Sequence, residues 1–320
     1  MLLSKTPLRI SFVGGGSDYF NKDTNVKGRV IVTTIDKYMY VSLNKKYNND
    51  VRISYSQTEN VKSVDKIKHE IIRETLKNYK INKGIEIVTV ADIPSSGSGL
   101  ASSSALTVGL VNIVNQYKKK KLNKRILARE ACNIEIHKCK KLIGMQDQYA
   151  TAFGGLNKIE FYKGKVSVKK LNLENKLVDE FNNHLMLFYT GITRHANKIL
   201  LNIKKSGNQF TNYEKLSNLA NNFEKELIQG NFDNCGKILH ENWMIKRNLD
   251  QSVSSLNLDN IYKSAISAGA IGGKILGAGG GGYFLFLTKP KNKKKIIRSL
   301  KKFQYIKFKF SQKGSEVIKI

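Results

Sequence analysis

One stretch of the chain restricts the possible folds more than any other. In it a strand pattern is followed by a glycine- and serine-rich turn and then by an apolar helix. Residues 85–90 predict a strand, and the tract PSSGSGLASSSA follows at residue 94. The run ALTVGLVNIVNQY then predicts a helix so apolar that it must be buried. A strand, a loop and a buried helix in this order predict a layered fold that mixes helices and sheets.

The tract at residues 94–105 is also suited to binding an anion. A helix start offers N–H groups that have no partner within the helix, together with the positive end of the helix dipole. Glycines let a ligand approach the backbone, and serine hydroxyls add donors and one candidate magnesium ligand. The tract has neither a Walker ending nor GxGxxG spacing, and an ordinary serine-capped turn is the alternative. We predict a phosphate site formed by Ser96, Gly97, Ser98, Gly99, Leu100, Ala101, Ser102, Ser103 and Ser104.

Three further segments carry glycines beside polar side chains. PLRISFVGGGSDY at residues 7–19 places Asp18 on a tight turn, where it can bind sugar hydroxyls or merely cap the turn. GAGGGGYFLFL at residues 277–287 predicts two strands joined by a tract that can approach another segment or a ligand closely, although a plain hairpin would look the same. GMQDQYATAFGG at residues 144–155 places Asp147 at a helix start, where catalysis and capping are both open.

Charge and composition exclude several classes of protein. The net charge is +30, but the lysines are spread along the chain without interleaved aromatic residues, so a solvated surface is favoured over nucleic-acid binding. Three cysteines are too few for a disulfide framework, and their spacing does not suit zinc. No apolar run is long enough to span a membrane, and the N-terminus predicts a strand rather than a signal peptide. We expect a cytoplasmic protein without nucleic-acid or membrane partners.

The order of the predicted elements favours an α+β protein of two layered domains, residues 1–175 and 176–320. Periodicity predicts strands at residues 8–13, 30–43, 85–90, 185–189, 274–276, 283–287 and 305–308. It predicts helices at residues 65–79, 195–205, 212–229 and 232–246, another that begins at Asn123 and carries Glu130 and Glu135, and a basic helix before the last strand.

Taken together and in this order, the glycine-rich segments resemble the GHMP kinase family, named for its galactose, homoserine, mevalonate and phosphomevalonate kinases. PLRISFVGGGSDY is similar to the first motif of the family, PSSGSGLASSSA to the second and KILGAGGGGYFLF to the third. The resemblance implies the two-domain GHMP kinase fold, with an N-terminal ribosomal-protein-S5-like domain, a C-terminal ferredoxin-like domain and the active site between them. It also implies ATP and Mg²⁺ as cofactors.

Carried over residue by residue, the resemblance implies that the loop cradles the ATP phosphates and that Ser103 and Glu135 ligate Mg²⁺, with Glu130 as the second choice. Asp147 is similar to the catalytic base of the family, and Arg9 matches the basic residue beside it. In phosphoryl transfer most of the rate comes from positioning and charge stabilisation, so the loop, the metal and Arg9 should matter at least as much as the base.

The first motif also bears on the substrate. Galactokinases read Gly-Glu-His-Thr-Asp-Tyr where this chain reads GGGSDY, and the missing acid removes a charge that would repel a phosphorylated sugar. GGGSD, GMQDQYATAFGGLN, LFYTGITRHANKIL and GGKILGAGGGG resemble most the branch that contains the D-glycero-D-manno-heptose 7-phosphate kinases. That resemblance implies phosphorylation of O1 to the 1,7-bisphosphate, on the way to nucleotide-activated heptose for bacterial surface polysaccharide.

The expected partners are ATP and a small sugar phosphate, and a homodimer is left open. An unphosphorylated hexose or deoxyhexose, as in galactokinase or fucokinase, is the alternative substrate. The phosphate of the sugar needs cationic partners. The expected substrate site comprises Gly15, Gly16, Ser17, Asp18, Gly279 and Gly280, with Arg194, Lys274 and, in reserve, Arg29 as the cations.

Overall fold

The computed structural model describes residues 1–19, 26–94, 97–193, 196–205 and 209–320, and within them the chain has thirteen strands and ten α-helices. The strands are β1 Leu2–Val13, β2 Gly28–Lys45, β3 Val51–Ser54, β4 Thr58–Val61, β5 Ile85–Ala91, β6 Leu156–Tyr162, β7 Lys165–Lys170, β8 Leu185–Tyr189, β9 Ala270–Ile275, β10 Tyr283–Thr288, β11 Gln304–Ile306, β12 Phe310–Ser311 and β13 Glu316–Lys319. The helices are α1 Glu70–Asn78, α2 Ser102–Tyr117, α3 Lys124–Cys132, α4 Gln146–Phe153, α5 Asn175–Asn183, α6 Ala196–Lys205, α7 Gln209–Ile228, α8 Phe232–Arg247, α9 Leu256–Ser267 and α10 Lys293–Ser299.

A nine-stranded sheet is built around the long strand β2. Its main path runs β13-β1-β2-β5-β3-β4, while β6 and β12 also pair with β2, and β7 pairs with β6. The β3–β5 pair is parallel, and the other pairs are antiparallel. The pairing of β1 with β2 shifts register between Pro7 and Arg9. Such irregularities re-aim side chains, and here the N–H of Arg9 donates to the carbonyl of Leu100, 3.1 Å away in the phosphate loop.

Helix α2 is buried on nearly all sides because its sequence is apolar around the whole circumference. It packs on β1 and β2. Gly109 brings it close to β1, since a Cβ at that position would lie 2.9 Å from Ser4 Oγ. The N-terminus of α2, and with it the end of the phosphate loop, is therefore held in place by the core.

The second sheet has the order β11-β8-β10-β9 and is antiparallel throughout. Trp243 of α8 is fully buried and packs against Phe284 of β10 in this sheet, with ring centroids 6.0 Å apart. An aromatic cluster joins this half of the chain to the first sheet: Phe12 of β1 lies 5.3 Å from Phe181 and 5.5 Å from Phe223, measured between ring centroids. These contacts join helices α5 and α7 to β1 of the first sheet.

The structure confirms the predicted α+β class and modifies several elements. The helix predicted from residue 65 begins at Glu70, after a 3₁₀ turn at Val64–Lys66. Asn123 caps α3 as predicted, accepting from the N–H of Ile126, but α3 ends at Cys132 and continues as a π-helical turn, Asn133–Lys138. Glu135 therefore lies on this turn and not on a regular helix.

The C-terminal segment returns to the first sheet, which the sequence did not indicate. β12 pairs with β2, and β13 pairs with β1. These strands are short and have few apolar positions, so their sequences show no clear strand pattern. The backbone around Gly314 packs on the end of α4, since a Cβ at Gly154 would lie 2.2 Å from Gly314 N. The division at residue 175 stays a prediction.

We predict that Gly154→Ala destabilises the protein more than Gly164→Ala. Both glycines have positive φ, 70° and 74°, but a Cβ at Gly154 collides with backbone while a Cβ at Gly164 meets nothing within 4 Å. Strain alone should lower the free energy of unfolding by about 1–2 kcal/mol, and the collision should at least double that loss. Urea unfolding measures both variants, and equal losses would contradict the packing described for residues 313–314.

Candidate active site

The phosphate loop folds through three left-handed residues before α2 begins. Gly97 and Gly99 have φ values of 65° and 79°, and Ala101, directly before the helix, has φ 63°. Glycine adopts this conformation without strain, whereas alanine does so at a cost. The hydroxyls of Ser98 and Ser102 lie 2.8 Å apart, which cross-links the loop to the first turn of the helix. Ser96 lies outside the described residues.

Glu135 is fully buried beside this helix start and accepts four hydrogen bonds. Ser103 Oγ donates to Oε1 at 2.5 Å, and Ser104 Oγ donates to Oε2 at 2.6 Å. Gln148 Nε2 also donates to Oε2, and Lys141 Nζ donates to Oε1 at 3.2 Å. The structure thus brings together Ser103 and Glu135, the two residues expected to ligate Mg²⁺. Glu130 lies elsewhere, near the hydroxyl of Tyr79.

Arg9 and Asp147 form a bidentate ion pair at the cavity wall. Arg9 Nε and Nη2 donate to Asp147 Oδ1 and Oδ2, each at 2.8 Å, and Nη1 donates to the carbonyl of Gly99 at 2.6 Å. The Arg9 side chain is 3% exposed and that of Asp147 is 24% exposed. One guanidinium therefore joins β1, the phosphate loop and the first turn of α4, and the partly open carboxylate faces the cavity.

The first glycine turn is held by its own polar groups. Asp18 accepts from the N–H groups of Gly16 and Gln146 and from Gln146 Nε2, each at 3.1 Å. Burial is the main cause that raises the pKa of Asp18, and the neighbouring charge of Asp147 acts in the same direction. Ser17 donates to the carbonyl of Gly14 at 2.7 Å and does not line the cavity.

The third glycine tract packs against the phosphate loop. A Cβ at Gly282 would lie 2.4 Å from the carbonyl oxygen of Ser98. Gly280 donates its N–H to Val253 at 2.7 Å, and Gly279 packs on the same residue. Gly279 and Gly280, expected at the sugar site, are therefore occupied in packing against Val253, and it is Gly277 and Ala278 that line the cavity.

Two buried lysines lie at the cavity wall. Lys274, 1% exposed, donates to the carbonyls of Ser11 and Phe12 at 3.0 and 2.9 Å. Lys246, 7% exposed, donates to the carbonyl of Gly277. The reserve candidate Arg29 instead pairs with Glu160 at 3.4 Å, and Arg194 lies outside the described residues.

The site lines one cavity of about 390 Å³. It brings together the phosphate loop, the Arg9–Asp147 pair, the first glycine turn and both buried lysines. Sequence reasoning missed several of its polar residues, because lysine and glutamine are common on surfaces and no motif marks them. Those residues are Lys141, Gln146, Gln148, Tyr213 and Lys246, of which all but Gln148, which acts through Glu135, line the cavity.

Comparison with known proteins identifies the family of this site. Residues 65–155 match the GHMP kinases N terminal domain, and residues 223–306 match the GHMP kinases C terminal domain. The chain is 32% identical over 332 residues to D-glycero-alpha-D-manno-heptose 7-phosphate kinase of Campylobacter jejuni, with 97% of each protein covered. The chain belongs to the GHMP kinase family.

Other relatives agree with this assignment. Galactokinase of Pyrococcus furiosus is 25% identical, with 92% of this chain and 90% of that protein covered. The chain also superposes on the crystal structure of a D-glycero-D-manno-heptose 1-phosphate kinase from Bacteroides thetaiotaomicron, with a TM-score of 0.82 at 24% identity. The superposition covers 100% of this chain and 99% of that one, and it confirms the GHMP kinase fold. The protein is thus a sugar kinase, a phosphotransferase with an alcohol group as acceptor and ATP as donor.

In the part of the chain that the structure describes, no helix has the length and apolarity needed to cross a membrane.

The burial of Lys274 predicts that the stability of this GHMP kinase depends on pH. Burial, followed by the charges of Lys246 and Arg9, lowers that pKa well below its ordinary value of 10.5. Between the two values the unfolded state binds more protons than the folded state, so stability rises with pH. Lys274→Met removes this titration, and the free energy of unfolding of wild type relative to the variant should increase as the pH rises towards 10.5.

Urea unfolding at several pH values measures this difference. Lys263→Met, at an exposed position of α9, is the matched control and should keep a constant difference from wild type. A Lys274→Met protein whose stability stays parallel to that of wild type across the window would contradict the burial of an ionisable lysine at this wall.

Proposed function

We propose that this kinase transfers the γ-phosphoryl group of ATP to the anomeric O1 of D-glycero-D-manno-heptose 7-phosphate and yields the 1,7-bisphosphate. The observation that carries the proposal is the Arg9–Asp147 pair facing the same cavity as the phosphate loop. The similarity to the Campylobacter jejuni heptose 7-phosphate kinase, which extends over almost the whole of both chains, supports the choice of sugar. We further propose that the enzyme acts in the cytoplasm.

The nucleotide would lie across the phosphate loop. We expect the N–H groups at the start of α2 to bind its phosphates. A second cavity, of about 400 Å³, shares Gly97, Ser102, Ser103 and Lys141 with the first and continues between Met39 and Leu106. Since the phosphates join the nucleoside to the transferred group, we assign the nucleoside to this second cavity.

The residues around Glu135 fit a magnesium ion. Mg²⁺ is usually held by one or two carboxylates, substrate phosphates and water. Ser103 and Glu135 present a hydroxyl and a carboxylate oxygen 2.5 Å apart, and the ammonium of Lys141 already lies against both. Among the described residues no group of three or more His, Cys, Asp and Glu side chains could hold a metal ion, so Ser103 and Glu135 would hold Mg²⁺ together with the nucleotide phosphates. The ion, when bound, supplies neutralisation of phosphate charge.

Asp147 is the proposed general base. Its carboxylate would accept the proton of the O1 hydroxyl as that oxygen attacks the γ-phosphorus, while the bond to the ADP oxygen breaks. Arg9 holds both carboxylate oxygens and so fixes the direction from which the base acts. The turn that contains Gly15, Gly16 and Asp18 lies at the same cavity and is the proposed site of the sugar hydroxyls.

The phosphate that the sugar already carries requires cations. Lys246 and Lys274 lie close enough for their charges to interact, and each donates to main-chain carbonyl oxygen. A phosphate dianion bound beside both lysines would favour the charged form of Lys274 and offset the repulsion between the two ammonium groups. We therefore add Lys246 to Lys274 and Arg194 as candidates for this role, with Lys246 the more accessible of the two described lysines.

An ADP-release assay with MgATP tests the substrate. The panel contains heptose 7-phosphate, mannose 6-phosphate, galactose, fucose and mevalonate, and we expect selective turnover of heptose 7-phosphate. Lys246→Met should raise the KM for that sugar about tenfold or more with little change in the KM for ATP. Turnover of a neutral hexose or deoxyhexose alone would contradict the substrate assignment and favour a galactokinase- or fucokinase-like enzyme.

Asp147→Asn tests the base. It should lower kcat roughly 10²- to 10⁴-fold and leave the affinity for nucleotide nearly unchanged, as measured by steady-state kinetics and by calorimetry. The control is Asp179→Asn, which changes an exposed carboxylate of α5 outside the cavity lining. An unchanged kcat would contradict the role of Asp147, and a parallel loss of kcat and nucleotide affinity would indicate a structural role instead.

A further inference from the structure

Lys141 is the cation that the described part of the chain places on the buried carboxylate Glu135. Its ammonium donates to Ser103 Oγ at 2.6 Å and to Glu135 Oε1 at 3.2 Å. Glu135 is fully buried, while the Lys141 side chain is 18% exposed. A buried carboxylate without a cation is costly. Lys141 therefore supplies the charge that Glu135 needs in the absence of a metal ion.

The backbone fixes this placement independently of the side chain. After the π-helical turn Asn133–Lys138 the N–H of Cys139 donates to the carbonyl of Ile134 at 2.8 Å. Lys140 then adopts a left-handed conformation with φ 50°. This turn reverses the chain, so the N–H of Lys141 donates to the carbonyl of Glu135 at 3.0 Å. The backbone of Lys141 is thereby anchored to that of Glu135, while the four-carbon side chain of a lysine is flexible.

Lys141 also lies where the two cavities meet. It lines the cavity that contains Asp147 and the second cavity between Met39 and Leu106. The residues that the two cavities share with it belong to the phosphate loop and the start of α2. A nucleotide that spans both cavities must pass its phosphates within reach of this side chain.

A metal ion and the ammonium cannot both occupy Ser103 and Glu135. The repulsion between a dication and an ammonium about 4 Å apart is of order several kcal/mol even at an effective dielectric constant of 20. The phosphates of a bound nucleotide, by contrast, attract the ammonium, which is strongly hydrated and mobile on its stem. Repulsion by the metal and attraction by the phosphates both move the ammonium away from Glu135, because the nucleotide arrives with the metal.

We propose that Lys141 has two positions: it holds Ser103 and Glu135 in place of the metal when the site is empty of nucleotide, and it binds the nucleotide phosphates when those oxygens ligate the metal. This inference rests on the proposed ATP site. Lys141 is then a nucleotide-binding residue and a substitute for the metal charge, and the same side chain preserves the geometry of Ser103 between turnovers.

The test compares wild type with Lys141→Gln and Lys141→Met, which remove the charge, and Lys141→Arg, which keeps it. Lys138→Gln, at an exposed position of the same turn, is the matched control. Calorimetry measures binding of a non-hydrolysable ATP analogue, with EDTA and with Mg²⁺, and of adenosine. With Mg²⁺ the neutral variants should bind the analogue about tenfold or more weakly than wild type, and the loss should be smaller with EDTA. They should bind adenosine as wild type does. The arginine variant should retain most of the affinity.

Thermal unfolding provides the second readout. Without the ammonium, Glu135 depends on the metal, so Mg²⁺ alone should raise the Tm of the neutral variants more than that of wild type, by about 2 °C or more. Unchanged affinity for the analogue together with equal stabilisation by Mg²⁺ would overturn the inference, as would an equal loss of analogue and adenosine binding. A wild-type protein that binds no ATP analogue would instead overturn the proposed function.

Discussion

The guanidinium of Arg9 is the group on which the arrangement of this site depends. It is almost completely buried, so its donors need partners, and the fold supplies the two oxygens of Asp147 and the carbonyl of Gly99. Breaking such a pair by removing one partner typically costs about 3–5 kcal/mol, because the other charge is left behind. The strand β1, the phosphate loop and the helix α4 are held in one geometry by this requirement.

Close backbone contacts complete the arrangement that the ion pair begins. Gly282 lies against the carbonyl of Ser98, and Gly144 lies so near Asp18 that a Cβ would reach 1.9 Å from its Oδ2. No other residue fits at either position without movement of the backbone or of a buried carboxylate. The glycine tracts therefore shape the site chiefly by letting three segments approach one another, and the functional side chains stand on the surfaces so formed.

Much of this could be predicted from the sequence because its signals are local. A strand that enters a glycine turn and an apolar helix predicted the phosphate loop, and the structure brings Arg9, Asp147, Ser103 and Glu135 together around it. The family and the fold class predicted from the motifs are confirmed by the comparisons. The catalytic and ligand roles of these residues stay predictions.

What the sequence did not reveal depends on contacts between distant segments. Lys141 reaches Glu135 only because the chain reverses at a left-handed lysine, and Lys246 reaches the cavity only because α8 packs beside the third glycine tract. Conversely, Ser17 and Gly279 have the composition of a binding turn but are used in hydrogen bonding and packing within the fold. The return of β12 and β13 to the first sheet is likewise a long-range pairing without a local pattern.

The central claim is that this cavity directs ATP to the anomeric hydroxyl of a sugar that already carries a phosphate. Phosphorus NMR of the reaction with MgATP and heptose 7-phosphate tests it most directly. The account predicts a product with two phosphorus resonances, one of them a new glycosyl phosphate that is coupled to the anomeric proton. A new phosphate ester at any other hydroxyl, or release of inorganic phosphate without a sugar product, would contradict it.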